Sequence, residues 1–352
     1  MNNLKRFFFF ILNTMISVSL TMNIASADAS NYQPDLSNGA DNFYRSDKVQ
    51  LQKVSFPNLY KMKVVGNLFT PKTMKPGETL PAIIVGHPMG AVKEQSANLY
   101  AQKLAEQGFI TLSLDFSFWG ESEGEPRNAV APDIYSEDFS AAVDFLGTQD
   151  FVQKDNIGIL GICASGAFVI NAAKIDPRMK AIATVSMVDM GAATRFTQSI
   201  EQKHQILSEA AEQRYVEFKG GETKYTGGTP NELTDETDAM GREFYDFYRT
   251  ERGKFTPEGS SPELTTHPTL SSNVKFMNFY PFEDIQVISP RPLLFIVGEN
   301  AMSKIFSDDA YNRSDEPKEL YVVKGAGHVD LYDRVNLIPF NKLTQFFSDY
   351  LK

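Results

Sequence analysis

The chain has 352 residues, of which 42% are hydrophobic and 22% are charged, as in an ordinary soluble globular protein. This length suggests one large domain or two modest ones. The formal net charge of −10 at pH 7 argues against nucleic acid as a partner and against binding to an anionic membrane surface.

The first residues have the pattern of a secretory signal peptide. Lys5-Arg6 is a short positive region, residues 7–22 are largely apolar, and Ala25-Ser26-Ala27 is a small-x-small cleavage pattern. The apolar run is shorter than the ~20 residues that a membrane-spanning helix needs, although an uncleaved anchor is the alternative. We predict a signal peptide at residues 1–27, a mature chain that starts near Asp28, and a periplasmic or secreted protein without membrane attachment after cleavage.

Strands and helices then alternate along the chain. Residues 48–54 and 61–69 are predicted to form two strands in a hairpin-like pair. Short apolar runs bounded by turn residues predict strands buried on both faces at residues 81–86 and 157–162, and further strands at residues 109–115, 180–186, 292–297 and 319–323. Apolar residues at helical spacing predict helices, among them residues 94–107, residues 133–147, a segment that ends near Ile175, and the C-terminus. This alternation predicts an α/β fold with a mostly parallel, doubly wound sheet.

One long segment interrupts the alternation. Residues 190–288 contain no clear buried strand, but they carry helical polar stretches, a glycine-rich break and many aromatic residues. A structureless loop of this length is improbable in a compact domain. We therefore predict a cap or lid at residues 190–288, inserted into a core domain formed by residues 28–189 and 289–352.

The strongest chemical signal follows the strand at residues 157–162. Cys163 comes directly after this strand, with Gly161 and Ser165 as small residues on either side, and a helix follows. A nucleophile on a sharp strand-to-helix turn has this pattern, and the helix N-terminus favours a thiolate. The backbone N–H of Ala164 is then one oxyanion donor. A frame with Ser165 as nucleophile is the alternative, but the apolar strand ends at Ile162, which favours Cys163; without this context a lone cysteine is usually a buried apolar residue.

A thiol nucleophile needs a base, and the chain has four histidines. His328 lies in a glycine-rich loop just after the last strand, where a base that comes last in chain order is expected. His204 and His267 fall in the predicted cap. Because no two histidines have metal-ligand spacing, we predict no metal and no cofactor. His87 precedes Pro88-Met89-Gly90, where the backbone N–H of Met89 is the second predicted oxyanion donor and His87 itself has a structural role.

The acid that would orient the base is less clear from the sequence. The usual position, about three residues after Gly298, is Ala301. Glu299, immediately after the strand, is the first choice, and the alternatives are Asp308, Asp309 and Asp189. A Cys-His pair depends on such an acid less than a Ser-His pair does, because a thiol ionises more readily than a hydroxyl.

These residues carry a resemblance to a known group of enzymes. The chain resembles the α/β-hydrolase superfamily, and within it the branch of dienelactone hydrolase and the fungal polyketide transferases. The matching segments are residues 87–95, 115–127, 161–166, 245–250, 306–311 and 325–332. The resemblance implies an α/β-hydrolase fold, a cysteine nucleophile at Cys163 and a catalytic histidine at His328.

The expected function is hydrolysis of a small ester, lactone or thioester through an acyl-enzyme on Cys163. Acyl transfer is an alternative that uses the same residues, and a non-catalytic binding protein on the same fold is another. The expected partner is a small-molecule substrate, and the sequence leaves the oligomeric state open.

Overall fold

The computed structural model describes residues 32–352. Within these residues eight strands form one sheet in the spatial order β1-β2-β4-β3-β5-β6-β7-β8. The strands are β1 (Val49–Pro57), β2 (Lys63–Pro71), β3 (Leu80–Gly86), β4 (Ile110–Leu114), β5 (Val152–Ile162), β6 (Met179–Val185), β7 (Leu293–Gly298) and β8 (Lys318–Val323).

Most neighbouring strands are parallel. β1 and β2 form an antiparallel pair, and β2 is antiparallel to β4, whereas every pairing from β4 to β8 is parallel. All residues of β4 and β7 are buried, as expected for strands covered on both faces. The predicted α/β class with a mostly parallel sheet is confirmed.

Helices flank this sheet. The helices are α1 (Ala97–Ala105), α2 (Pro132–Gly147), α3 (Ala164–Ile175), α4 (Met190–Thr197), α5 (Ile200–Phe218), α6 (Ala239–Tyr248), α7 (Leu270–Asn273), α8 (Lys304–Arg313), α9 (Asp330–Asp333) and α10 (Phe340–Tyr350). α1 packs against α10, and α2 packs against α3, so two helix pairs cover the sheet. Parallel strands need such crossover helices, because a short turn cannot join their ends.

Several element boundaries differ from the sequence prediction, and two of these differences have a clear structural cause. The helix predicted to begin at residue 94 begins at Ala97, because Ser96 has a φ of 74° and its N–H donates to Asn42 instead of continuing the helix. The strand predicted at residues 157–162 begins at Val152, and its added residues are partly exposed. A register shift lies between this extension and the buried part of β5, which explains why the apolar pattern marks only the second half.

Helices α4 to α7 all lie between β6 and β7, and residues 190–288, here called the cap segment, contribute no strand to the sheet. The cap segment contacts the loop after β3, where the Thr266 N–H donates to the Gly90 carbonyl at 2.9 Å. Among the described residues, no helix is long and apolar enough to cross a bilayer. The predicted signal peptide, residues 1–27, lies outside the described residues.

Candidate active site

The turn from β5 into α3 places Cys163 in an unusual backbone conformation. β5 ends at Ile162, α3 begins at Ala164, and Cys163 between them has φ 58° and ψ −126°. A non-glycine residue at positive φ is strained, and such strain is characteristic of a nucleophile on a strand-to-helix turn. A Cβ on Gly161 would lie only 2.3 Å from the Ser165 carbonyl oxygen, so the close approach of strand and helix requires glycine there.

Three hydrogen-bonding groups surround the Cys163 sulfur. The backbone N–H groups of Ala164 and Met89 and the side-chain hydroxyl of Tyr332 all hydrogen-bond to it. Burial raises the pKa of the Cys163 thiol, and these three groups oppose that rise because each can donate a hydrogen bond to the thiolate. Cys163 is 7% exposed and lies at the wall of a cavity, so a small molecule can reach it. The structure therefore brings together the predicted nucleophile and both predicted oxyanion donors.

Ser165 is not positioned like a nucleophile. It is fully buried, and its hydroxyl donates to the backbone carbonyl of His87. This bond ties the start of α3 to the loop that carries Met89. Of the two possible frames, the geometry favours the one with Cys163.

The loop that carries Met89 is fixed by buried polar groups. The Nδ1 of His87 lies 2.7 Å from the Pro88 carbonyl oxygen, and its Nε2 accepts the Phe116 N–H. Burial lowers the pKa of His87 to about 4, so the ring is neutral at neutral pH. On the same loop, the buried Lys93 ammonium lies 2.7 Å from an Asp115 carboxylate oxygen. These contacts give His87 a structural place and hold the Met89 N–H in position.

His328 lies in the loop after β8 and is almost fully buried. Its Nε2 lies 3.0 Å from the Tyr332 hydroxyl, and its Nδ1 lies 2.7 Å from the Ser303 hydroxyl. Burial lowers the pKa of His328 to about 4. The imidazole is therefore neutral at neutral pH and can accept a proton.

The acid predicted from the sequence does not lie beside His328. Glu299 is exposed, and its carboxylate accepts the Gly325 N–H at 2.9 Å, so it stabilises the turn before the histidine loop. The three alternatives are bonded elsewhere: Asp308 to Lys304, Asp309 to Arg313, and Asp189 to the N-terminus of α4. The prediction that Glu299 orients the base is therefore corrected, because the Ser303 hydroxyl occupies the hydrogen-bonding position at the Nδ1 of His328.

Two further residues complete the surroundings of His328. Tyr332 comes four residues after His328, and its side chain lies in the short helix α9, which brings its hydroxyl to the imidazole. Glu243 comes from α6 in the cap segment, and its carboxylate accepts the Val329 N–H at 2.7 Å. Burial raises the pKa of Glu243. The cap segment thus holds the histidine loop by a direct hydrogen bond that the sequence does not reveal.

A cavity of about 170 Å³ opens onto Cys163 and His328. None of the described side chains that line it carries a charge. Its walls include methionine and aromatic side chains and a few neutral polar ones, namely Met89, Met190, Met240, Met302, Phe244, Phe276, Phe306, Thr229, Thr266 and Asn273. Such a lining suits an uncharged, largely apolar ligand, and flexible methionines adapt to its shape.

The parallel sheet, the cysteine on its strand-to-helix turn and the histidine after the last strand together define an α/β-hydrolase fold. Comparison with known proteins agrees: the sequence profile of the dienelactone hydrolase family matches residues 64–215. The uncharacterized protein PA2218 of Pseudomonas aeruginosa is 42% identical over 313 residues, which are 88% of this chain and 83% of that protein. The crystal structure of PA2218 superposes with a TM-score of 0.82 at 41% identity, covering 91% of this chain and 100% of that one.

Two more relatives are similar over most of the chain. The uncharacterized protein YcjY of Escherichia coli is 35% identical over 309 residues, which are 85% of this chain and 99% of that protein. A thiohydrolase of Eupenicillium brefeldianum is 25% identical over 290 residues, which are 80% of this chain and 88% of that protein. The chain belongs to the dienelactone hydrolase family. It is a hydrolase of the class that cleaves ester, lactone or thioester bonds.

Proposed function

We propose that this hydrolase uses Cys163 as its nucleophile and cleaves small, uncharged esters or thioesters. One observation carries the proposal: the Cys163 sulfur meets the N–H groups of Ala164 and Met89 at the wall of a cavity that no charged side chain of the described residues lines. Backbone donors that converge on a nucleophile are also placed to stabilise the oxyanion that forms when it attacks a carbonyl.

In the proposed reaction, the Cys163 sulfur bonds to the carbonyl carbon, and the carbonyl electron pair moves onto oxygen beside the Ala164 and Met89 N–H groups. His328 is the final acceptor of the thiol proton. The oxyanion then collapses, the leaving alcohol or thiol takes this proton, and an acyl-enzyme remains. Water attacks the acyl group, His328 accepts a proton from the water, and the proton returns to Cys163 as the acid is released.

The lining of the cavity supports an uncharged acyl group. A carboxylate brought into this space would lose its hydration without gaining a cationic partner, which costs several kcal/mol. A relative that is named a thiohydrolase supports thioesters as one substrate type. The four methionines of the wall support tolerance of different acyl shapes.

The test compares two thioesters of the same thiol, one with a butyryl and one with a succinyl acyl group, so that the terminal carboxylate is the main difference. We expect turnover of the butyryl thioester and at least about tenfold slower turnover of the succinyl one. Cys163→Ala should abolish both reactions. Hydrolysis that survives Cys163→Ala, or a preference for the succinyl thioester, would refute the proposal.

Alkylation by iodoacetamide, followed by intact-protein mass spectrometry, tests the nucleophile without a substrate. We expect alkylation that slows in His328→Ala and disappears in Cys163→Ala, while Ser165→Ala still alkylates at Cys163. Slow labelling that does not depend on His328 would make Cys163 a packing residue.

We further propose that the enzyme acts outside the cytoplasm. The support is the amino-acid pattern of residues 1–27. Mass measurement of the protein recovered from the periplasm and medium of a Gram-negative expression host should give a chain that starts near Asp28. Recovery of the full-length chain from the cytoplasm alone would contradict export.

A further inference from the structure

The hydrogen bonds described around the active site connect Cys163 to His328 through Tyr332. The side chains of Cys163, Tyr332 and His328 line the same cavity. The Tyr332 hydroxyl lies 3.0 Å from the Nε2 of His328 and hydrogen-bonds to the Cys163 sulfur on its other side. We infer that Tyr332 is a catalytic residue that relays the thiol proton to His328. This inference rests on the proposed cysteine mechanism and adds a third residue to it.

The position of the Tyr332 hydroxyl is fixed by its surroundings. The side chain is fully buried, and its ring packs edge-on against those of Phe247, Tyr248 and His328, with centroid separations of 5.3, 6.3 and 5.4 Å. The next residue, Asp333, is held by a two-pronged ion pair with Arg252. A phenol held in this way can lie between two reacting groups without the entropic cost of ordering it in each turnover.

The directions of the hydrogen bonds suit a relay. If the Nδ1–H of the neutral His328 ring donates to Ser303, the Nε2 is free to accept the Tyr332 O–H. The phenol oxygen can then accept the thiol S–H. As the sulfur bonds to the substrate carbonyl carbon, its proton passes to the Tyr332 oxygen while the Tyr332 proton passes to Nε2.

Charge and atoms balance in this step. The substrate oxygen gains the negative charge, the imidazole gains the positive charge, and Tyr332 begins and ends as a neutral phenol. The reverse transfer delivers the proton to the leaving alcohol or thiol. Tyr332 thus avoids the phenolate form, which burial and the nearby Cys163 disfavour because both raise the pKa of Tyr332.

The main test is Tyr332→Phe, which removes the hydroxyl and keeps the ring. Tyr100→Phe is a matched control, because it removes another buried hydroxyl, one that donates to the backbone carbonyl of Leu331, the neighbour of Tyr332. If Tyr332 only supported the α9 segment, the two variants should behave alike. Thermal unfolding of both variants shows whether they are folded.

For Tyr332→Phe we expect iodoacetamide alkylation of Cys163 at pH 7 to slow by about tenfold, equivalent to one hydrogen bond to a charged group. The pH profile of alkylation should move to higher pH. With the butyryl thioester, kcat should fall by about a hundredfold with little change in KM. Tyr100→Phe should keep the wild-type alkylation profile.

The outcomes distinguish this inference from the function on which it rests. Alkylation that depends on His328 but is the same in Tyr332→Phe and wild type would overturn the relay and leave the cysteine mechanism in place. Alkylation that is independent of His328 would overturn both. If Tyr332→Phe does not fold, the dependence of wild-type kcat/KM on the D2O fraction decides instead: two protons in flight give a curved plot, and a straight line would overturn the relay.

Discussion

The Nδ1 of His328 lies 2.7 Å from the Ser303 hydroxyl, in the position where a carboxylate was expected. Ser303 is fully buried at the N-terminal end of α8, in the loop that follows β7. A serine can hold the ring but cannot compensate an imidazolium charge, which agrees with the low pKa of His328, about 4. The resting pair is therefore a neutral thiol and a neutral imidazole, and charge forms only as the substrate reacts.

Removing this hydroxyl should weaken catalysis without abolishing it. For Ser303→Ala we expect kcat/KM to fall by about fivefold, because one neutral hydrogen bond contributes about 1 kcal/mol. Ser307→Ala is the control: this buried serine lies on the same helix, and its hydroxyl has no hydrogen-bond partner among the described residues. Equal activities in Ser303→Ala and wild type would show that the contact at Nδ1 does not orient the base.

A carboxylate at the same place should change the pH dependence. In Ser303→Asp a negative group would lie beside the ring, which favours the imidazolium and raises the pKa of His328. The imidazolium would then stabilise the thiolate, so alkylation of Cys163 should extend to lower pH than in wild type. The measurement is the alkylation rate between pH 5 and 8, and an unchanged profile would contradict the expected coupling between Ser303 and Cys163.

Burial of neutral His328 should also make folding sensitive to acid. Its folded pKa of about 4 lies below the ordinary value of 6.5, so the unfolded chain binds more protons between these pH values. The contribution of His328 to the free energy of unfolding is fully present above pH 6.5. It is lost as the pH falls toward 4, and the loss amounts to about 3 kcal/mol. Urea unfolding at pH 5 and 7.5 should show a smaller difference between the two pH values in His328→Gln than in wild type.

Exposed His204 provides the matched control for this measurement, since His204→Gln should keep the wild-type difference between the two pH values. Each variant is compared with wild type because buried His87 also makes the protein less stable in acid, since burial lowers its pKa to about 4 as well. Part of the acid sensitivity therefore remains when His328 is replaced. If His328→Gln kept the full acid sensitivity of wild type, the burial of a neutral imidazole would not be its cause.

The ion pair next to Tyr332 should be important for stability. The Arg252 guanidinium bonds to buried Asp333 and Asp246, so Arg252→Leu would leave two buried carboxylates without their cation. We expect a loss of about 3–5 kcal/mol in the free energy of unfolding. Arg313→Leu removes an exposed arginine with two ion pairs and should cost less than about 1 kcal/mol. Similar losses in the two variants would refute the distinction between buried and exposed pairs.

The parts of the site that the sequence predicts are those with local signals. A buried strand, a cysteine between small residues and a helix are adjacent in the chain, so the Cys163 turn is visible without a structure. His328 follows the last apolar strand for the same reason. The sheet could be predicted because buried parallel strands appear in the sequence as continuous apolar runs. The start of β5 is partly exposed and has no such run, so its first residues were not predicted as strand.

The remaining parts depend on contacts between distant segments. Glu243 reaches the histidine loop across 86 residues of sequence. Ser303 could not be predicted, because a single serine in a loop has no distinguishing pattern in the sequence. The contact of Tyr332 with Cys163 and His328 requires the short helix α9 to form, and four residues are too few for a periodic signal.

The turn at Cys163 allows a final prediction about backbone packing. Gly161→Ala would place a Cβ 2.3 Å from the Ser165 carbonyl oxygen, and backbone cannot move aside as a flexible side chain can. Strand and helix must then separate, which shifts Cys163 away from the Ala164 and Met89 N–H groups. We expect a loss of more than about 2 kcal/mol in the free energy of unfolding, together with slower alkylation of Cys163.

Gly147→Ala is the matched control for this prediction. Gly147 lies at the end of α2, where an added Cβ meets only ordinary contacts at 3.9 Å or more, so the variant should keep both the stability and the alkylation rate close to wild type. If Gly161→Ala were as stable and reactive as Gly147→Ala, the close approach of β5 and α3 would not be what positions the thiol.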